Sequence, residues 1–322
     1  MVGKITSNSN LSCSLLPSIF NDNPFQSPNH ILTRIANERG YKTPFNVPEK
    51  QVGESAEWGN MFEPHIIDKA CEILDFKSYN KEVTEVYKYK DNFLEASLDG
   101  LINNNQKKLL ATNNIIIENG KSNIVLDGNG VIEAKLTSSY RTTPPPKWRG
   151  YYQLQGQLLC TGLKWGVVAT LYKGTELVLY IYEEDRSVQA DIVKKCKDFY
   201  KRLEKMEYYD FEDVDDLTDH YPIVTQTEKN LNDIFTEMDE YKDLLKSINI
   251  LEKTKKLLEV KIMSELGSNQ IGYIENGDGK RVFEVEWRMR HSKAQPSKFV
   301  EAKPEKWVKQ KTLTVSKRWL DD

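Results

Sequence analysis

Glu133 and Lys135 stand two apart in the stretch "VIEAKL", residues 131–136. On a strand, positions i and i+2 point to one face. A carboxylate and an ammonium would then lie side by side, flanked by Val131, Ile132, Ala134 and Leu136. Upstream, Glu63 sits in "EWGNMFEPHIIDK" and Asp99 in "ASLDGLI"; downstream, Gln153 lies in "YYQLQGQLLCTG". Asp99, at a strand end beside Glu133, would share a divalent cation with it. The backbone carbonyl of Ala134 would add a neutral oxygen. All-oxygen ligation suits Mg²⁺, with Mn²⁺ able to substitute. Water held by such a cation is a better nucleophile, so the chemistry expected is phosphodiester hydrolysis. Lys135 would hold or deprotonate that water, or offset charge in the transition state. Glu63 would hold a second metal or its water shell. Gln153, which shares a helix face with Gln157, would orient the water or the scissile phosphate.

Each feature also has an ordinary structural explanation. Charges on a strand usually form a solvated face, and Asp99-Gly100 is a common turn pair. Glu63 and Gln153 are compatible with plain helix surface. Asp127, in the turn "LDGNG", competes with Asp99 for the ligand role. Composition narrows the chemistry. Cys13, Cys71, Cys160 and Cys196 are widely separated, with no C-x-x-C, and the histidines have no ligand spacing. Zinc, iron–sulfur and disulfide frameworks are therefore disfavoured. No apolar run reaches about 18 residues, so neither a membrane span nor a membrane partner is expected. The first residues lack a long apolar core and a cleavage site, so the protein is expected to be unprocessed and cytoplasmic.

The formal net charge of −3 hides an asymmetry. The region around "YYDFEDVDDLTDHY" is acidic, whereas residues 280–318 hold twelve Lys/Arg against four Glu. A basic segment of this kind is either a solvated tail or a footprint for a phosphate backbone. The loop "TSSYRTTPPPKWRG" places Arg141, Lys147 and Arg149 where they can meet nucleic acid.

The elements that must position these groups follow from periodicity. "PNHILTRIANERG" reads as a helix stopped at Gly40. In "ESAEWGNMFEPHIIDKACEIL", Trp58, Phe62, Ile66, Ile67, Cys71 and Leu74 recur at helical spacing and predict an amphipathic helix. "KEVTEVYKY" and "FLEASLDGLI" read as strands, and "NIVLDGNGVIEAKL" as a hairpin through Asp-Gly-Asn-Gly. "YYQLQGQLLCTG" predicts a helix ending at Gly162, and "WGVVATLY" with "ELVLYIYEED" a strand pair. The segment to about residue 265 is helical, with a helical hairpin as one arrangement; "GYIENGDGKRVFEVEWRMR" returns to hairpin chemistry. The expected architecture is an α/β (α+β) fold, a mixed β-sheet core flanked by helices, with a C-terminal helical extension. The expected parts are 1–190 as the core, 191–268 as the helical extension, and 269–322 as a basic hairpin and tail packing on the core or on DNA.

The order of these segments resembles the lambda-exonuclease/YqaJ-type viral recombinase nucleases of the PD-(D/E)xK superfamily. "EWGNMFEP" is similar to that family's W-G-x-x-x-E helix, "ASLDGLI" to its S-P-D-G segment and "IEAK" to its E-x-K. "YYQLQGQLLCTG" is similar to its tyrosine-and-glutamine helix, and "SNLSCSLLPSIF" to its serine-containing N-terminal segment. The resemblance implies a restriction-endonuclease-like core with Asp99, Glu133 and the Ala134 carbonyl on the metal. It also implies Lys135 as the water-activating residue, Glu63 as an active-site carboxylate, Gln153 as a positioning residue and Ser14 as a DNA contact. It further implies 5′-to-3′ digestion of linear double-stranded DNA in a phage setting, within a host cytoplasm. A single-strand annealing protein is the implied partner, and a trimeric ring an implied assembly. An endonuclease of the same superfamily and a catalytically silent DNA-end-binding scaffold are the alternatives. Three departures stand out. Leu98 replaces the family's proline, and the stretch between Asp99 and Glu133 is longer than usual. Ser7 stands where lambda-like members pair an arginine with the N-terminal serine, only Lys4 being near.

Overall fold

The computed structural model describes residues 6–43, 54–211, 229–269, 271–277, 279 and 281–286. Most of the basic stretch 280–318 lies outside the described residues. The chain divides into two compact units, Met1–Ile223 and Val224–Asp322.

The first unit is built on a six-stranded mixed sheet. In chain order the strands are β1 (Tyr79–Asn80), β2 (Tyr87–Lys88), β3 (Glu95–Ala96), β4 (Gly100–Ile102), β5 (Gln106–Leu110), β6 (Ile115–Ile117), β7 (Asn123–Asp127), β8 (Gly130–Thr137), β9 (Trp165–Tyr172) and β10 (Glu176–Glu183). The sheet runs β1-β4-β8-β9-β10-β6. The β8/β9 and β10/β6 pairs are parallel, and the other three are antiparallel. Helices α1 (Leu16–Ile19), α2 (Pro28–Glu38), α3 (Glu54–Ile73), α4 (Tyr151–Thr161) and α5 (Arg186–Lys205) surround it. This is the expected mixed sheet flanked by helices. Helix α5, which spans the expected boundary at residue 190, belongs to the first unit.

Strand alternation gives the sheet two apolar faces. Val131, Val168, Tyr172, Val178 and Tyr180 pack with α1, α2, α4 and α5. Ile132, Trp165, Val167, Ala169, Leu179 and Ile181 pack with Ile66, Ile67, Ala70 and Cys71 of α3. Both cores meet at β8, whose first four residues are all buried. Close approach explains two glycines, one on β8 and one on α4. A Cβ on Gly130 would lie 2.5 Å from the Trp165 ring, and one on Gly156 would lie 2.4 Å from Leu16 Cδ1. Trp165 is 2% exposed and has no room to withdraw. Gly130→Ala is therefore expected to cost about 1–3 kcal/mol, read as a lower midpoint in urea unfolding with an unchanged slope.

Two sequence expectations are corrected. The "NIVLDGNGVIEAKL" stretch does not fold back on itself. β7 pairs with β5 in a separate two-stranded sheet, while β8 pairs with β4 and β9. Gly128, at φ +73°, turns the chain from one sheet to the other. On α3, the stripe from Ile66 to Leu74 is buried as expected, but Trp58 and Phe62 are 51% and 37% exposed.

In the second unit, Phe235–Leu266 forms one unbroken helix, α6, rather than two antiparallel ones. It is followed by the antiparallel pair β11 (Ile271–Glu275) and β12 (Arg281–Glu286), the expected hairpin.

Candidate active site

The β4/β8 ladder ends at the Gly100–Ile132 pair. Beyond it β8 runs on with an open edge toward β4, and the Ala134 N–H loses its strand partner. The Asp99 carboxylate replaces that partner, accepting from Ala134 N at 2.9 Å. The N–H and C=O of one extended residue face the same side. The Ala134 carbonyl therefore also faces the space where β4 has ended.

Glu133 and Lys135 do share a face, the one turned to α4. Glu133 is 1% exposed. A buried carboxylate must be paired and hydrogen-bonded to remain ionised. Lys135 Nζ donates to Glu133 Oε1 at 2.5 Å and to Gln153 Oε1 at 2.9 Å. Gln153 Nε2 donates to the same Glu133 oxygen at 2.6 Å. Gln157 Nε2 donates to Glu133 Oε2 at 2.6 Å and to the Ser97 carbonyl at 3.2 Å. The two glutamines, four apart on α4, clamp both oxygens of Glu133. Gln157 was legible only as a residue on the Gln153 face; its grip on Glu133 depends on how α4 docks on β8. Thr170, buried beside Lys135 on β9, gave no sequence signal.

Glu63, on α3 and beside Pro64, reaches the same space from the other side of the sheet. Ser14 enters from the N-terminal segment, whose short helical turn Cys13–Leu15 packs against Gly156 of α4. Ser14, Glu63, Asp99, Glu133, Ala134, Lys135 and Gln153 all line one cavity of about 390 Å³. Seven separately chosen residues are thus brought together. Asp127 is not among them: it is exposed on β7, opposite Gln106. Of the basic loop, Arg149 lines an adjoining groove. Arg141 is engaged by Glu176 at 3.0 Å and the Asn113 carbonyl at 2.8 Å, and Lys147 lies 5.7 Å from the Tyr151 ring. Neither lines the cavity.

The cavity is electrostatically crowded. Burial, then the charge of Glu133, pushes the Asp99 carboxyl well above the usual range, against Lys135 and the Ala134 N–H. Burial and then Glu133 also raise Glu63. Burial alone would lower Lys135, but Glu133 and Asp99 outweigh it and hold the lysine above its ordinary value. Its side chain is 30% exposed, which weakens the burial penalty further. Lys135 is therefore an ammonium here, a donor and counter-charge rather than a ready base.

Among the described residues no three Asp, Glu, His or Cys side chains stand close enough to form a cation cage. The donors nevertheless have the chemistry of a magnesium site. They are oxygens throughout, from two carboxylates and a backbone carbonyl, around a polar cavity. Mg²⁺ takes one or two carboxylates and keeps several waters.

The position of Ser14 depends on a second buried carboxylate. Glu95, 3% exposed, accepts from Ser7 N at 3.1 Å and from Asn10 Nδ2 at 2.9 Å, and pairs with Lys88 at 3.3 Å. Burial pushes its carboxyl up, but these donors together bring it below the usual value. Its contribution to stability is full above the unfolded carboxylate value of about 4.3 and is lost as pH falls through the lower folded value. Glu95→Gln is expected to cost about 1.5–3 kcal/mol at pH 7. The gap from the native chain should close as pH falls below about 4, checked by thermal melts across pH.

Fold and site together define a mixed-sheet α/β domain in which an E-x-K strand, two further carboxylates and a glutamine helix meet at a break in the sheet. Residues 8–164 match the model of the YqaJ-like viral recombinase domain. Over that stretch, just under half of its length, the chain is similar to that domain. Among solved structures, it is similar to LHK-Exo, an alkaline exonuclease from Laribacter hongkongensis. The form in complex with dAMP gives 15% identity, a TM-score of 0.42, and coverage of 62% of this chain and 90% of that one. It is also similar to a phage-related exonuclease from Haemophilus somnus 129PT, at 11% identity and a TM-score of 0.41, covering 61% and 94%. Among curated proteins none matches the chain. Among the described residues no helix is long and apolar enough to cross a membrane.

Proposed function

We propose that this protein is a Mg²⁺-dependent deoxyribonuclease that hydrolyses phosphodiesters of linear double-stranded DNA. Within that activity we read it as a 5′-to-3′ exonuclease of phage-type recombination, working in the host cytoplasm beside a single-strand annealing protein. A homo-oligomer, such as a trimer, is the assembly proposed. The observation that supports this most is the convergence of Glu63, Asp99, Glu133, Lys135 and Gln153 on one cavity at the end of the β4/β8 ladder. The matched recombinase domain supports the setting.

Asp99, Glu133 and the Ala134 carbonyl would hold the cation, with Glu63 at a second position or in its water shell. The cation would supply the Lewis acidity that makes a water nucleophilic near neutral pH. The chain's own groups do the rest. Lys135, as an ammonium, offsets charge building on the phosphate oxygens. Gln153 holds Lys135 and Glu133 in register, and Gln157 fixes the second oxygen of Glu133. The Ser14 hydroxyl, which shares a hydrogen bond with Ser12 Oγ at 2.9 Å, would meet a phosphate at the cavity rim.

One observation favours a catalytically silent DNA-end binder instead. Both Glu133 oxygens are already engaged, and no three ligating side chains are gathered among the described residues. The test uses a linear duplex labelled at each 5′ and each 3′ end, beside the same plasmid closed. Early release of 5′ label as mononucleotide under Mg²⁺, with circles untouched, is the expected result. Cut circles would mean an endonuclease. DNA bound but intact under Mg²⁺ and Mn²⁺ would establish the silent reading.

A further inference from the structure

A second groove, of about 960 Å³, adjoins the carboxylate cavity and shares Ser14, Lys135, Leu136 and Gln153 with it. Its character differs. Four aromatic rings line it: Phe25, Trp58, Phe62 and Trp148. Trp58 and Phe62, one helical turn apart on α3, have ring centroids 5.9 Å apart. Phe25 and Trp148, from two loops, meet edge to face at 5.7 Å. Phe25 is 72% exposed and Trp58 51%. Rings this exposed contribute little to the cores, and the α3 stripe that does build a core begins only at Ile66. Cations accompany them. The Arg149 guanidinium lies 4.8 Å from the Trp148 ring, and Lys173 lines the same groove.

We propose that this groove holds unpaired nucleotides of a DNA strand, with bases stacked on the Trp58–Phe62 and Phe25–Trp148 pairs and phosphates on Arg149 and Lys173. Aromatic platforms beside a basic track are the general means of holding single strands, because every base offers a π-face only once it is unpaired. A duplex buries its base faces and offers phosphates and groove edges, which call for cations and polar groups rather than a cluster of aromatic rings. The shared lining places the stacked nucleotides next to the carboxylates. The role of the groove as a substrate track therefore rests on the nuclease reading, while its capacity to bind does not.

The test separates the two. Binding of an oligo-dT carrying one 2-aminopurine is followed by fluorescence, with chelator present so that no turnover intervenes. The native chain is expected to quench the probe as it stacks. Trp58→Ala and Phe25→Ala are expected to weaken binding by about 5- to 100-fold each and to relieve the quench. Trp58→Tyr, which keeps a ring, should retain most of both. Both positions are exposed, so far-UV circular dichroism should be unchanged. These results support the groove whether or not the protein cuts DNA. Normal cleavage of linear duplex by the native chain, with no quench or with equal affinity in both alanine variants, would overturn the groove and leave the nuclease reading standing.

Discussion

Lys135→Ala is expected to lower DNA hydrolysis by about 10²–10⁴-fold, the range a positioned proton-handling or charge-bearing side chain contributes. The lysine is held by Glu133 and Gln153 and reaches the cavity from a rigid interior strand. Among the described residues that line the cavity, no other carries a positive charge. Lysis of the pair also leaves Glu133 without its ion partner, which is costly for a buried carboxylate. Gln153 and Gln157 still donate to Glu133, so the variant should fold, with a lower thermal midpoint. Lys135→Arg separates the two effects. It restores charge and stability, but its planar fork cannot reproduce the ammonium geometry. Stability should recover more fully than turnover. Single-turnover rates and thermal melts on the same preparations check this. Equal recovery of both would make Lys135 a structural counter-ion only.

Asp99→Asn against Asp127→Asn carries the next largest contrast. Asp99 should lose more than about 100-fold in turnover, beyond the cost of changing a residue that merely supports a ligand. Asp127 should lose almost nothing. Asparagine still accepts from the Ala134 N–H, so the bond across the broken ladder survives. Only the charge a cation needs is gone. Relieving the crowding of like charges with Glu133 should leave the Asp99→Asn chain as stable as the native one or more so. A chain inactivated at Asp127 and active at Asp99 would move the metal to the β5/β7 sheet and overturn the assignment.

The legible parts of the site were those that depend on local spacing. E-x-K on a strand puts both charges on one face, and glutamines four apart share a helix face, whatever the rest of the chain does. The strand partners were not local. "NIVLDGNGVIEAKL" has hairpin turn chemistry, yet β7 finds its partner in the inserted stretch at β5 and β8 finds its partners at β4 and β9. Short-range pattern specifies that a strand exists and which residues alternate, but not which edge it joins. That choice also decided Asp127, which lies on β7 opposite Gln106 and does not line the cavity. On α3 the period of the apolar residues was right, but periodicity does not say where along a helix the core stops. Trp58 and Phe62 continue the stripe past the end of the packing surface and open onto a groove instead. The clamp of Gln157 on Glu133 required knowing that α4 lies across the sheet, where Gly166 of β9 admits Leu154 of α4 in close contact, which no motif announces.

The central claim is that the cavity at Asp99, Glu133 and Lys135 hydrolyses DNA with a divalent cation. Its most direct test is hydrolysis of one linear duplex while Mg²⁺ is titrated from chelator to saturation, in the native chain and in Glu133→Ala. Product should be absent with chelator, rise to a plateau with Mg²⁺, and be missing from the variant at every concentration while its fold remains intact. Product formed without metal, equal product from Glu133→Ala, or none from the native chain under Mg²⁺ or Mn²⁺ would contradict it.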